Sequence, residues 1–105
     1  MIKHIVMWQL KESAEGADKT TNVRKMKALL ESCSGLVPGI LKLEVALAET
    51  GLECTCDIAL HMEFDSAHSL DAYQAHPHHV AMKSFITAVR ETRYCMDYLV
   101  PSRPI

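Results

Sequence analysis

The chain has 105 residues, about half of them hydrophobic, and a formal net charge of −2 with histidine neutral. This length suits a single domain with a modest core, spanning residues 1–105. The slightly acidic balance provides no positive field for nucleic acid or anionic lipid, and no apolar run approaches the roughly 20 residues of a membrane span. The N-terminus turns polar too early for a signal peptide, so we expect a cytoplasmic protein.

The first segment, Lys3 to Lys11, predicts a strand that is covered on both sides. One face carries Ile5 and Met7, and the other carries Val6, Trp8 and Leu10. His4 lies on the second face, so it is a polar side chain directed inward, and the sequence does not reveal its partner.

A polar loop, a helix and two strands follow. The loop runs from Lys11 to Thr21, and Asp18, Thr20 or Thr21 is expected to cap the helix. Apolar residues at helical spacing mark the helix, namely Val23, Met26, Leu29, Leu30 and Cys33, and Gly35 ends it. Alternation predicts a second strand with Leu41, Leu43, Val45 and Leu47 on one face, and a third strand from Cys56 to Phe64.

The second helical segment is predicted to break at a proline. Asp65 or Ser66 caps a short helix that ends near Ala75, because Pro77 lacks an amide hydrogen and biases His76 away from helical geometry. A further helix starts at or just after the proline and runs to about residue 90. Alternation of Tyr94, Met96, Tyr98 and Val100 predicts the last strand, and residues 101–105 form an extended tail.

The order β-α-β-β-α-β predicts an α+β, ferredoxin-like fold, in which helices cover one face of a four-stranded antiparallel sheet. The other sheet face would be solvated in a monomer. Apolar side chains nevertheless occupy both faces of the first strand, and the last strand carries Cys95 and Leu99 opposite its aromatic face. We therefore predict a homodimer that packs sheet against sheet.

The segment from Tyr73 to His79 is the best candidate for chemistry. It places a phenol and three imidazoles around the helix break. His79 shares the core-facing stripe of Met82 and Ile86, and Tyr73 shares a face with Leu70, so a small pocket between sheet and helices is expected. The simpler interpretations are that these histidines cap a helix or bind adventitious metal. His76, His78 and His79 are too close in sequence to form a zinc site, and none is predicted.

The remaining polar and thiol residues have structural interpretations. The four cysteines are expected to be reduced and mostly buried, without disulfides. Arg90, Glu91 and Arg93 are expected to form surface ion pairs or rim contacts rather than an anion site. Trp8 is expected to pack in the core or barrel.

Four sequence elements resemble the stress-responsive α/β-barrel (Dabb) family over about residues 2 to 100. They are the opening Lys3-His4-Ile5-Val6, the stretch Asp57-Ile58-Ala59-Leu60 leading to Glu63-Phe64, the Tyr-x-x-His-Pro-x-His element from Tyr73 to His79, and Asp97-Tyr98. The resemblance implies a ferredoxin-like unit, two of which form a dimeric α/β barrel.

The family includes plant polyketide cyclases of the olivetolic acid cyclase type. Their catalytic Tyr and His match Tyr73 and His79, and a pocket His matches His4. A further pocket His of those cyclases has no counterpart near Asp57 and Ile58, which leaves pocket and substrate open. The family also includes plant stress-induced proteins and many bacterial members without a defined activity, so the resemblance implies an aldol-type cyclase that needs no cofactor only as an alternative, with His79 as general base and Tyr73 as oxyanion donor.

Three functions are compatible with these residues. The chain binds a small apolar or aromatic ligand without turnover, or it is the cofactor-free enzyme just described, or it is a structural dimer whose histidines form a helix-junction network. In the first two cases the expected ligand contacts, besides Tyr73 and His79, are His4, Trp8, His76 and Phe85.

Overall fold

A computed structural model describes residues 1–101 as one four-stranded antiparallel sheet with three helices. The elements in chain order are β1 (Ile2–Leu10), β2 (Ser13–Ala14), β3 (Ala17–Asp18), α1 (Lys19–Glu31), β4 (Ile40–Leu47), β5 (Ile58–Phe64), α2 (Ala67–Ala75), α3 (Pro77–Val89) and β6 (Arg90–Leu99). The sheet order β4-β5-β1-β6 confirms the ferredoxin-like prediction. No helix within residues 1–101 is long and apolar enough to cross a membrane.

The core lies between one face of the sheet and the helices. Every second residue of β5 is buried, from Ile58 to Phe64, and β1 alternates in the same way. The helices contribute Met26, Leu30, Leu70, Tyr73, Met82, Ile86 and Val89. Because the period of a strand is two and that of a helix is 3.6, this packing follows directly from the apolar patterns in the sequence.

The predicted loop before α1 contains a short hairpin instead. Glu15 and Gly16 both have positive φ, at 52° and 74°, as a two-residue turn between β2 and β3 requires. Asp18 caps α1 by accepting a hydrogen bond from the Thr21 amide at 2.8 Å. The buried Asn22 amide donates to the Ala14 carbonyl and so ties the hairpin to the helix.

Several sequence-based details are corrected by strand pairing. The register of β4 against β5 shifts between Ile40 and Lys42, so Leu41 bulges out and is exposed instead of joining the inward row. Strand β6 begins at Arg90, earlier than predicted, because its pairing with β1 continues to Leu10. Only Cys33 of the four free cysteines is buried, whereas Cys54 and Cys95 are exposed. Most of the predicted C-terminal tail, residues 102–105, lies outside the described residues.

The sheet face opposite the helices carries an exposed apolar patch. On β6 this face presents Tyr94, Met96 and Tyr98, of which Tyr94 is 70% and Met96 66% exposed. Strand pairing sets Met7 beside Tyr94 and Ile5 beside Met96, so the patch continues onto β1. We refer to these five residues as the open-face patch.

Candidate functional site

A cavity of about 390 Å³ lies on the helix side of the sheet. Its apolar wall is formed by Val6, Leu30, Leu60, Met82 and Ile86. It is also lined by the aromatic and imidazole side chains of Trp8, His4, Tyr73 and His79. The predicted pocket between sheet and helices therefore has a counterpart in the structure.

The helix break turns the chain so that Tyr73 and His79 face the same space. His76 is the junction residue, with extended backbone (φ −62°, ψ 135°), and Pro77 is the first residue of α3. The His76 ring accepts a hydrogen bond from the His78 amide at 3.1 Å, so this imidazole caps α3. The His78 ring in turn hydrogen-bonds Ser32 at 2.7 Å. These two histidines build the junction, and the cavity wall does not include them.

Tyr73 is enclosed in an aromatic cluster. It is 1% exposed, its ring lies 5.5 Å from that of Phe64, and it meets His79 edge-on at 4.6 Å between ring centroids. Burial raises the pKa of the Tyr73 phenol above its ordinary value, and the neighbouring Cys33 thiol adds to this shift. The phenol consequently stays protonated and can act as a hydrogen-bond donor, but not as a base.

His79 is held in its neutral form. Burial lowers the pKa of His79, a backbone hydrogen-bonding interaction with Gln74 opposes this shift, and the positive charges of Lys83 and Arg93 add to it because they disfavour an imidazolium nearby. The Nδ1 atom of His79 is buried and has no hydrogen-bond partner within the described residues. A neutral imidazole with an unpartnered nitrogen can accept a proton or bond a ligand.

His4 forms a pair that the sequence did not predict. The pairing of β1 with β6 sets His4 directly opposite Asp97, and His4 Nδ1 bonds the Asp97 carboxylate. His4 is 4% exposed, whereas the Asp97 side chain keeps 40% of its exposure. Because the carboxylate engages Nδ1, it orients the ring and leaves Nε2 as the nitrogen for other contacts. Both residues occur in the resemblance above, but only the strand register reveals that they touch.

Of the other predicted ligand contacts, some line the cavity and others lie outside it. Trp8 is buried, lines the cavity, and has an indole N–H without a partner among residues 1–101. Phe85 lies outside the cavity wall, and the Lys25 ammonium sits 4.5 Å above its ring on the helix surface. Neither His76 nor Phe85 lies at the cavity wall, since one caps a helix and the other packs under a lysine, and their contact with a ligand stays a prediction.

Three cations border the cavity, namely Lys83, Arg90 and Arg93. Surface ion pairs or rim contacts were expected for the two arginines, and neither makes a salt bridge among the described residues, so rim contacts remain as the expected role. Within that same part of the chain, no group of three or more His, Cys, Asp or Glu side chains is arranged to hold a metal ion.

Comparisons with known proteins agree with this architecture. Residues 2–100 match the family model described as Stress responsive A/B Barrel Domain. A dimeric protein of unknown function with a ferredoxin-like fold, from Bacteroides fragilis, is 33% identical over 92% of this chain and 93% of that chain, with a TM-score of 0.77.

More distant structures share the fold. A dimeric ferredoxin-like protein of unknown function from Thermobifida fusca is 18% identical, with a TM-score of 0.81 over 94% of this chain and 90% of that chain. A Dabb family protein from Mesorhizobium loti is 21% identical, with a TM-score of 0.67 over 96% and 97% of the two chains. The search of curated proteins found no match. The family model and the Bacteroides structure together show that this chain belongs to the stress-responsive A/B barrel domain family.

Proposed function

We propose that the protein binds a small apolar or aromatic molecule in the cavity between its sheet and helices. The observation that carries this proposal is the cavity itself, whose volume of about 390 Å³ lies within the range of small-molecule sites. Five aliphatic or thioether side chains line it, and the other nine lining residues carry a polar or charged group, so the cavity offers both apolar contact and hydrogen bonding to a ligand.

The unpartnered polar atoms support the same proposal. The Trp8 indole N–H and His79 Nδ1 are buried without hydrogen-bond partners in the described part of the chain. A buried polar group without a partner costs about 1–3 kcal/mol. A ligand that offers polar atoms to these groups, after small side-chain adjustments, would remove part of that cost.

We further propose that the protein is a homodimer that packs through the open-face patch. Exposed apolar side chains cluster on that face, and three solved structures with this fold are described as dimeric. The cavity lies on the opposite side of the sheet, so each protomer keeps its own cavity when the two sheets pack together.

A ligand-stabilisation screen tests the binding proposal. The panel comprises β-keto acids, acyl thioesters, phenols and hydroxybenzoates, and the readout is the melting temperature at fixed protein concentration. A ligand present at a hundredfold excess over its dissociation constant stabilises the native state by about 2.7 kcal/mol. A hit should weaken in His79→Ala and Tyr73→Phe and persist in His68→Ala, which removes an exposed imidazole from α2. A flat panel with a normally melting protein contradicts ligand binding and favours the structural dimer.

A cofactor-free enzyme is the second candidate, favoured by the neutral state of His79. In this mechanism His79 removes a proton α to a carbonyl, and the resulting enolate carbon attacks a second carbonyl of the same molecule. The proton then returns from His79 to the new alkoxide, so no redox partner is required. Tyr73, which stays protonated, donates a hydrogen bond to the developing oxyanion, and the carboxylate of Asp97 orients His4 at the other side of the cavity.

Time dependence separates the two candidates. A binding protein returns its ligand unchanged, whereas an enzyme converts it. Positioned acid–base catalysis contributes roughly 10²–10⁴-fold, so His79→Ala should reduce turnover by that order while the protein stays folded. Full activity in both His79→Ala and Tyr73→Phe would eliminate the enzymatic candidate.

A further inference from the structure

The charged side chains around the cavity all have the same sign. Lys83 on α3, Arg90 at the start of β6 and Arg93 further along β6 line it, and no Asp or Glu is among its lining residues within the described chain. The acidic member of the site, Asp97, lies behind His4 and engages its Nδ1.

These cations have no protein counter-ion within residues 1–101. Lys83, Arg90 and Arg93 make neither a salt bridge nor a side-chain hydrogen bond, as is also true of the exposed Arg24 and Lys42, whereas Lys3, Lys19 and Lys27 each make a salt bridge to a carboxylate; the cavity cations differ in lying together around one concave space. The chain has 13 acidic and 11 basic side chains, so a shortage of carboxylates does not explain this. Three unpaired cations around one concave space produce a local positive potential on a protein whose net charge is negative.

The cations also lie close to the imidazole of the site. Lys83 is one helical turn after His79 on α3, and Arg93 pairs with Trp8 across the strands. The positive groups and the unpartnered nitrogens of Trp8 and His79 therefore surround the same cavity.

We propose that the ligand of this cavity is an amphipathic carboxylic acid, whose carboxylate binds at Lys83, Arg90 and Arg93 and whose apolar body packs against the aliphatic wall. The inference deepens the proposed function and rests on it. Arginine is suited to this role because its guanidinium can donate two parallel hydrogen bonds to one carboxylate. The aliphatic part of the wall, with Val6, Leu60 and Met82, favours the body of the molecule over a free inorganic anion.

Matched acid–amide pairs test the charge requirement. The probes are 3-phenylpropanoate with 3-phenylpropanamide, and octanoate with octanamide, which share an apolar body and differ in the charge of the head group. Titrations follow the fluorescence of Trp8, the only tryptophan of the chain and a cavity residue, with calorimetry as the second readout. We expect the acid of at least one pair to bind about tenfold more tightly than its amide, since bonds to charged groups are the stronger ones.

Variants locate the charge effect. In Lys83→Gln and Arg93→Gln the acid should lose about tenfold in affinity while the amide changes little, and added salt should weaken acid binding in the wild type. Arg24→Gln removes an exposed arginine of α1 away from the cavity, and it should leave both probes unaffected.

The outcomes distinguish this inference from the proposed function. If acid and amide bind equally, or the amide binds more tightly, the cavity is a binding site but the carboxylate preference is refuted. If the acid preference survives in both cavity variants, the assignment to these cations is refuted. If no probe binds, and the broader panel is also flat, the proposed function fails and this inference fails with it.

Discussion

The contact between His4 and Asp97 leads to a sharp prediction about stability. His4 is buried at 4% exposure, and its Nδ1 bonds the carboxylate of Asp97 across the β1–β6 pairing. Asp97→Ala removes this partner and leaves a buried imidazole nitrogen without a hydrogen bond. Asp97→Asn keeps an acceptor oxygen at the same place, so it separates the loss of the hydrogen bond from the loss of charge.

The expected magnitude follows from the exposure of the two partners. A hydrogen bond to a charged group contributes about 1.5–3 kcal/mol, and an unsatisfied buried group costs about 1–3 kcal/mol. Since the Asp97 side chain keeps 40% of its exposure, solvent screens the pair and water can reach the carboxylate side. We therefore expect Asp97→Ala to lower the free energy of unfolding by about 1–2 kcal/mol and Asp97→Asn by less than about 1 kcal/mol.

Urea denaturation at one fixed protein concentration measures these differences, because the proposed dimer would make apparent stability depend on concentration. Glu91→Ala is the matched control, since it removes an exposed carboxylate from the same strand. If Asp97→Ala is no more destabilising than Glu91→Ala, the His4–Asp97 contact does not stabilise the fold, and the argument from burial is refuted.

Three further predictions concern the turn before β4, the open-face patch and the pH dependence of folding. Gly39→Ala should destabilise the protein by about 1–3 kcal/mol, measured by thermal melting, because φ is +93° there and a Cβ would lie 2.2 Å from the Ser69 hydroxyl; an unchanged melting temperature would contradict this. Met96→Lys should shift the protein towards monomer in sedimentation velocity, whereas Leu99→Lys, on the other face of β6, should not; equal effects of the two would refute the sheet-to-sheet dimer. The pKa of His79 in the folded protein lies below its unfolded value of about 6.5, so the unfolded state binds the proton more readily. The free energy of unfolding of the wild type should therefore fall as pH drops below about 6.5 towards the folded pKa. Urea unfolding at pH 7.5 and 5.5 should show a smaller loss in His79→Gln than in the wild type, and identical losses would show that His79 does not contribute.

The sequence alone determined the order and type of the main elements. Apolar periodicity identified the four strands of the sheet and the long helices, and the geometry of proline located the junction between α2 and α3 at His76 and Pro77. Periodicity also assigned faces within each element, so the inward directions of His4, Tyr73 and His79 were predictable, as was the apolar character of the open sheet face. These features are local, because each depends on residues within one or two turns or strand repeats.

Only the tertiary structure decided which residues from different elements meet. His4 and Asp97 are 93 positions apart, and their contact depends on the register between the first and last strands, which the alternation within each strand does not specify. The positions of Arg90 and Arg93 at the cavity, and of Phe85 outside it, depend in the same way on how β6 and α3 pack against the sheet. Periodicity determines the face on which a side chain lies, but the neighbours on that face are set by strand register and helix packing, which are properties of the whole folded chain.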